Sequence, residues 1–340
     1  MPPDTLAIAS NRAKHLPRFR RAAADDRPAF RLTDRDRELL KIIYDYRFIT
    51  ADLLQDLAPP VDLTQRQQVA LGKLIEARKE TTLYPEARGR PNKTRREILR
   101  RLQILYHHGY VQRHKVSDGE AIAYALGGAG AGELMLHFGI DRKEIDYTTR
   151  NRESGDRYVH HALMVSRFRH TVELALRHFP DTSLEQWIPG GAFKAKVKYL
   201  DTVRTREGSR TQEIDGVVKP DGLFVVKFGD KQIYYFLECD RSTMSNARYL
   251  MKLKSYYAFW ATYVEGGRSS RIKQMRVLTV TISEARKDNL RETAQQVSDK
   301  AKGLFCFVCE KAYRGKPEAV FGTTWQTLED DTLRSLYNHG

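Results

Sequence analysis

Cysteine is scarce, with only Cys239, Cys306 and Cys309 in 340 residues. Three thiols cannot build a disulfide framework in a chain this long, so a reducing, cytoplasmic setting is expected. No apolar run approaches the roughly 20 residues that a bilayer helix needs, and no membrane partner is expected. The first residues lack an apolar stretch closed by small side chains, so a secretory signal is not expected. The glycines at 127, 128, 130 and 132 lack the G-x-x-x-x-G-K-[ST] pattern and a strand-loop-helix setting. They read as the start of a closing helix, not as a phosphate loop. Cys306 and Cys309 have C-x-x-C spacing but no second pair to complete a zinc site, so they read as core.

Acid is the scarcer charge: 43 Asp and Glu stand against 58 Lys and Arg, for a net charge of +15. The excess is uneven. Residues 88–115 hold nine basic side chains and one acid, Glu97, a local net of +8. A second basic run, 12–21, lies in a proline-bearing segment without periodic apolar residues, so 1–30 read as a flexible basic arm. Hydrophobic residues make up 41% of the chain, enough for real cores, and its length suggests about two domains.

In the first domain, expected over 31–138, Thr33 can cap a helix over 34–46 whose apolar residues recur at helical spacing. Thr50 can cap a short second helix stopped by Pro59 and Pro60. A polar helix is expected over 63–79, within an extra segment, 63–90, that can dimerise or extend a DNA footprint. The basic helix, expected over 93–108, turns Ile98, Leu102 and Leu105 inward. Residues 110–115 and 121–126 flank Ser117-Asp118-Gly119 and read as a hairpin. Helix, helix, basic helix and two-stranded wing is the order of a winged helix-turn-helix. Its DNA-binding candidates are Lys93, Thr94, Arg95, Arg96, Arg100 and Arg101 on the helix and Arg113 and Lys115 on the wing. Double-stranded DNA is the expected partner.

Residues 139–157 read as a linker and 158–340 as a mixed-sheet α/β domain, making the chain α+β overall. A long helix is expected from 158, then strands at 184–188, 193–199, 223–228 and 233–237. A helix over 245–264, a strand over 277–282, a helix over 284–297 and a strand over 304–308 complete the pattern. Asp221 begins one strand of a hairpin and Glu238 ends its mate, with Asp240 on the same face as Glu238. Three converging carboxylates would repel one another unless a cation or base neutralised them. Lys219, Arg241, Lys252 and Lys254 are the nearest bases in sequence. Divalent metals of the Mg²⁺ type take such carboxylate oxygens, with Asp221 and Glu238 as candidate ligands. The bland alternative is a salt-bridge cluster closing a sheet edge. Tyr256, Tyr257, Phe259, Trp260 and Tyr263 crowd one helix and either stack on bases or pack on the sheet. His160 and His161 read as structural.

Pro220-Asp221 with Glu238-Cys239-Asp240 resembles the PD-(D/E)XK nuclease pattern, except that Asp240 stands where that pattern has lysine. The resemblance implies a restriction-endonuclease-like fold, with Asp221, Glu238, Asp240 and Lys252 as catalytic candidates. Lys252 or Lys254 would replace the missing lysine. From Leu32 to Trp325 the chain resembles the replication-relaxation family of plasmids and mobile elements. The resemblance rests on LTDRDRELLKIIYDYRFIT, RRLQILYHHGYVQRH, YALGGAG, HHALMVSRFRHTVELAL, KPDGLFVV, FLECDRST and KLKSYYAF. It implies a DNA-binding accessory protein of bacterial replication, relaxation or mobilisation, with relaxase or replication proteins as partners and a homodimer left open. Two alternatives stay open: a Mg²⁺-dependent endonuclease, and a transcriptional regulator with a nuclease-like dimerisation domain.

Overall fold

The computed structural model describes residues 16–58, 91–116, 122–145, 154–205 and 208–336, without the side chains of 91–94 and 203–205. The chain divides into two compact units, Met1–Leu163 and Met164–Gly340.

In the first unit, helix α1 (Asp34–Tyr46) starts at a reciprocal capping box: Thr33 Oγ1 accepts from the Asp36 amide, and Asp36 accepts from the Thr33 amide. Leu39, Leu40, Ile43 and Tyr46 of α1 are buried. Strand β1 (Ile49–Thr50) precedes α2 (Ala51–Leu57), and the Thr50 side chain makes no capping bond. Thr50 belongs instead to a ladder, pairing with Ala123. Helix α3 (Pro91–His107) begins two residues earlier than expected, with proline in its first turn where a missing N–H costs nothing. Its Ile98, Leu102 and Leu105 are fully buried. Strands β2 (Val111–His114) and β3 (Ala123–Leu126) pair antiparallel from Val111↔Leu126 to His114↔Ala123. The sheet order is β1-β3-β2. The glycine cluster opens helix α4 (Gly128–Phe138). A Cβ on Gly130 would lie 2.3 Å from the Tyr110 carbonyl, so glycine there lets α4 seat against the chain leaving α3. The helix expected over 63–79 and the turn at 117–119 lie outside the described residues.

Within the expected arm, residues 21–30 make contacts to α3 and His108. Arg21 Nε donates to the Tyr106 carbonyl (3.1 Å) and the Ala22 amide donates to His107 Nδ1 (3.1 Å). His108 Nε2 meets the Pro28 carbonyl at 2.9 Å, and Phe30 stacks on the His108 ring with centroids 4.8 Å apart. The last carbonyls of a helix lack intrahelical donors, and this segment gives α3 part of what its C-terminus needs.

Helix α5 (Asp156–Leu176) contains the division between the units. The second unit is built on a seven-stranded mixed sheet among the described residues, ordered β12-β11-β10-β9-β8-β7-β4. Its strands are β4 (Thr182–Pro189), β7 (Gly222–Phe228), β8 (Lys231–Asp240), β9 (Met275–Thr281), β10 (Phe305–Cys309), β11 (Thr323–Gln326) and β12 (Leu333–Ser335). The β8–β9 and β9–β10 pairs are parallel and the others antiparallel. Between β4 and β7 the chain forms a separate two-stranded ribbon, β5 (Ala195–Thr205) and β6 (Gly208–Val218), in register from Ala195↔Val218 to Thr205↔Gly208.

Period-2 alternation divides the strand residues between two cores. Phe224, Val226, Tyr235, Leu237, Leu278, Val280 and Cys306 pack with Met164, Phe168 and Val172 of α5. Leu223, Phe236, Val277, Phe305 and Phe307 pack with helices α6 (Asn246–Phe259) and α7 (Glu284–Ala294). The fold is therefore mixed α+β, with helices on both faces of the sheet. The aromatic helix residues serve this core: Tyr256 and Phe259 are buried, and Tyr257, Trp260 and Tyr263 pack against them. All three cysteines are free and buried. No described helix is long and apolar enough to cross a membrane.

Candidate functional site

Sequence reasoning singles out two groups of residues, and each lies within one unit. The basic group centres on α3. Ile98, Leu102 and Leu105 point inward, which leaves Arg96 and Arg100, one turn apart, on the solvent face. Neither makes an ion pair among the described residues. Arg95 is also exposed and pairs with Asp52 of α2. Arg101 is committed elsewhere: its guanidinium grips both oxygens of Asp36, donates to the Arg31 carbonyl at 2.7 Å and lies over the Phe30 ring. Burial pushes the Asp36 carboxyl up, but hydrogen bonds from Arg101 and Thr33 outweigh it and hold the pKa below the ordinary aspartate value.

Arg113 is half-buried on β2. It stacks on Tyr106 (4.6 Å) and Tyr124 (5.8 Å) and donates to the Arg18 carbonyl at 2.9 Å. Lys115 is exposed. Lys93 and Thr94 lie in the first turn of α3, and their side chains fall outside the described residues.

The acidic group sits at the C-terminal end of β8. Asp221 immediately precedes β7, its amide donating to the Leu237 carbonyl and its Oδ2 accepting from the Cys239 amide, both at 2.9 Å. Glu238 and Asp240 follow Phe236 on the face turned toward α6 and α7. Glu238 Oε2 accepts from Lys252 Nζ and Oε1 from the Tyr256 hydroxyl, both in α6. Burial lifts the Glu238 pKa to about 7; Lys252 opposes the rise and Asp221 adds to it. Burial disfavours the Lys252 ammonium, yet Glu238 and Asp221 together keep its pKa above the ordinary lysine value.

Lys252 is thus the lysine that reaches the carboxylates. Lys254 bonds Asp201 of the ribbon at 2.6 Å. Two residues are about 200° of helical rotation, so the two lysines cannot share a face.

Asp240 shares the face but not the cluster. Arg286 of α7 holds both its oxygens, at 2.8 and 3.1 Å, and Oδ1 also accepts from the Ser242 amide at 2.7 Å. Arg286 reaches on to Asn246 Oδ1 (3.0 Å) and the Met244 carbonyl (2.6 Å), tying the start of α6 to the end of β8. Sequence reasoning missed Arg286 because it lies 46 residues from Asp240, with no local signal beyond its place in the first turn of a capped helix. Tyr256 was noticed only as an aromatic; its hydroxyl is the second ligand of Glu238.

These residues do not fit a divalent cation. Both Glu238 oxygens and both Asp240 oxygens already accept hydrogen bonds, and Lys252 brings its own positive charge to Glu238. No group of three His, Cys, Asp or Glu side chains suited to a metal is found among the described residues. Chemically, the arrangement is a set of neutralised ion pairs: Glu238 with Lys252, and Asp240 with Arg286.

Fold and site define a two-unit α+β protein, with an exposed basic helix in one unit and buried, compensated carboxylates in the other. The chain belongs to the replication-relaxation family, whose family model matches residues 71–274, more than half of its length. No curated protein and no solved structure matches it.

Proposed function

We propose that the chain is a DNA-binding accessory protein of plasmid or mobile-element replication, relaxation or mobilisation. Residues 31–138 would read duplex DNA as a winged helix, with α3 as the recognition helix and β2–β3 as the wing. Residues 158–340 would serve as a nuclease-like scaffold. Relaxase or replication proteins in the bacterial cytoplasm are the partners such a role implies, and self-association is compatible with it.

One observation carries the reading: Arg96 and Arg100 project from one face of α3 without an ion-pair partner among the described residues. An arginine pair left unpaired on a helix surface is free to meet phosphates or base edges. Arg95 can join them, because its pair with Asp52 is solvent-exposed and such pairs contribute at most about 1 kcal/mol. Lys115 adds a backbone contact from the wing. Arg101 and Arg113 are held by the fold, so they support the reading head instead of touching DNA.

The test is fluorescence anisotropy on duplex DNA across a salt series, comparing wild type with Arg96→Ala/Arg100→Ala. Each phosphate contact contributes about 0.9 to the slope of log K against log salt, so the double variant should bind more weakly with a slope shallower by about 1.8. Unchanged affinity and slope would remove α3 as the DNA-reading element.

A further inference from the structure

The ribbon β5–β6 lies along α6. The two approach closely at Gly216, where an added Cβ would lie 2.6 Å from Ser255 Oγ and 2.9 Å from the Tyr199 ring. Beside this contact opens a cleft of about 340 Å³, lined on the ribbon side by Tyr199, Asp215 and Lys219 and on the helix side by Arg248, Lys252 and Ser255. Three cations face one acid across it. Lys219 and Arg248 are exposed and form no ion pair among the described residues. Lys252 gives one N–H to Glu238, which leaves two of its three donors for the cleft. Arg248, Lys252 and Ser255 recur at helical spacing, so they form one row along α6.

We propose that this cleft is a second nucleic-acid contact of the chain, binding the phosphodiester backbone of a DNA strand through Lys219, Arg248 and Lys252. The ligand chemistry is a phosphate ester, which both a polynucleotide and a free nucleotide offer. The row favours the polynucleotide: cations strung along a helix face suit a repeating phosphate chain. A single terminal phosphate is more often cradled by converging backbone amides in a glycine-rich turn, and the cleft lining has no such turn. Tyr199 adds a hydroxyl, whereas the Ser255 hydroxyl donates to the Met251 carbonyl at 3.0 Å; Asp215 on the ribbon disfavours a second anion on that side. The site uses none of the α3 residues, so it stands or falls separately from the duplex-reading proposal.

The experiment uses the full chain carrying Arg96→Ala/Arg100→Ala, so that the α3 arginine pair is absent from every sample. Binding of a fluorescein-labelled single-stranded oligonucleotide is measured by anisotropy across a salt series, with and without Lys219→Ala/Arg248→Ala. Loss of two contacts should weaken binding about tenfold and make the salt slope shallower by about 1.4. The charge-keeping variant Lys219→Arg/Arg248→Lys should retain both affinity and slope, which separates loss of charge from a folding defect. Unchanged oligonucleotide affinity in the alanine pair would overturn the proposal. Lys219- and Arg248-dependent binding of AMP or inorganic phosphate, without such dependence for the oligonucleotide, would also overturn it, leaving a free phosphate ester as the ligand.

Discussion

Asp36 and Arg101 show how one acid decides what a basic residue can do. Asp36 is 1% exposed, and its charge depends on the Arg101 fork and the Thr33 cap. Removing Arg101 would leave a buried carboxylate uncompensated, which costs about 3 kcal/mol. Urea unfolding of Arg101→Ala near neutral pH should show that loss. The pH dependence follows from the depressed Asp36 pKa: its contribution is present above the ordinary aspartate range and fades as pH falls through the folded-state value. Glu238 has the opposite sign. Its folded pKa of about 7 lies above the ordinary glutamate range, so its contribution is full in acid and lost as pH rises through 7. Glu238→Gln should therefore flatten the fall in the urea midpoint between pH 5 and pH 8, its single carbonyl oxygen keeping an acceptor for only one of Lys252 and Tyr256. An unchanged pH profile would mean that Glu238 does not titrate in that range.

At the scale of elements, local chemistry explains why some were legible in sequence. Helix α1 announces itself through Thr33, Asp36 and an apolar stripe, and α3 through Ile98, Leu102 and Leu105 among arginines. Strands β7 to β10 are nearly continuous apolar runs because both of their faces are covered. The ribbon was only half visible: residues 193–199 read as a strand, but 208–218 did not. Its β6 residues are mostly exposed and polar, so burial imposes little alternation until Gly216 and Val218 meet α6. Strands β11 and β12 are too short to carry a period. Pairing at the site was illegible for another reason. Which cation meets which carboxylate depends on helix phase and on α7, far along the chain. The pair Glu238–Lys252 was among the options, whereas Asp240–Arg286 was not. Gly216 gives the element-scale prediction. Gly216→Ala drives a methyl group into Ser255 and Tyr199, an overpacking that costs about 1–3 kcal/mol and should lower the thermal midpoint. Pairing it with Ser255→Ala removes the nearest obstructing atom and should recover part of the loss.

At the scale of the molecule, the net charge of +15 and the carboxylates of the second unit fit together differently than composition suggests. An acidic centre in a basic protein would invite a divalent ion, and then phosphodiester cleavage. Here the centre is already balanced, Lys252 against Glu238 and Arg286 against Asp240, and further cations line the neighbouring cleft. Under the proposed reading, such an arrangement would hold DNA without cutting it. Metal binding would require Glu238 to give up Lys252 and Tyr256 in a buried setting, where an unpaired ammonium is costly. Incubating the protein with supercoiled and linear DNA in Mg²⁺ or Mn²⁺ should therefore leave the DNA intact, and Asp221→Ala and Glu238→Ala should behave as wild type does. Nicking that requires the metal and disappears in both variants would show instead that substrate rearranges the ion pairs into a catalytic site. Duplex binding under the same conditions should still respond to Arg96→Ala/Arg100→Ala, because those side chains belong to the other unit and share no partner with the carboxylates among the described residues.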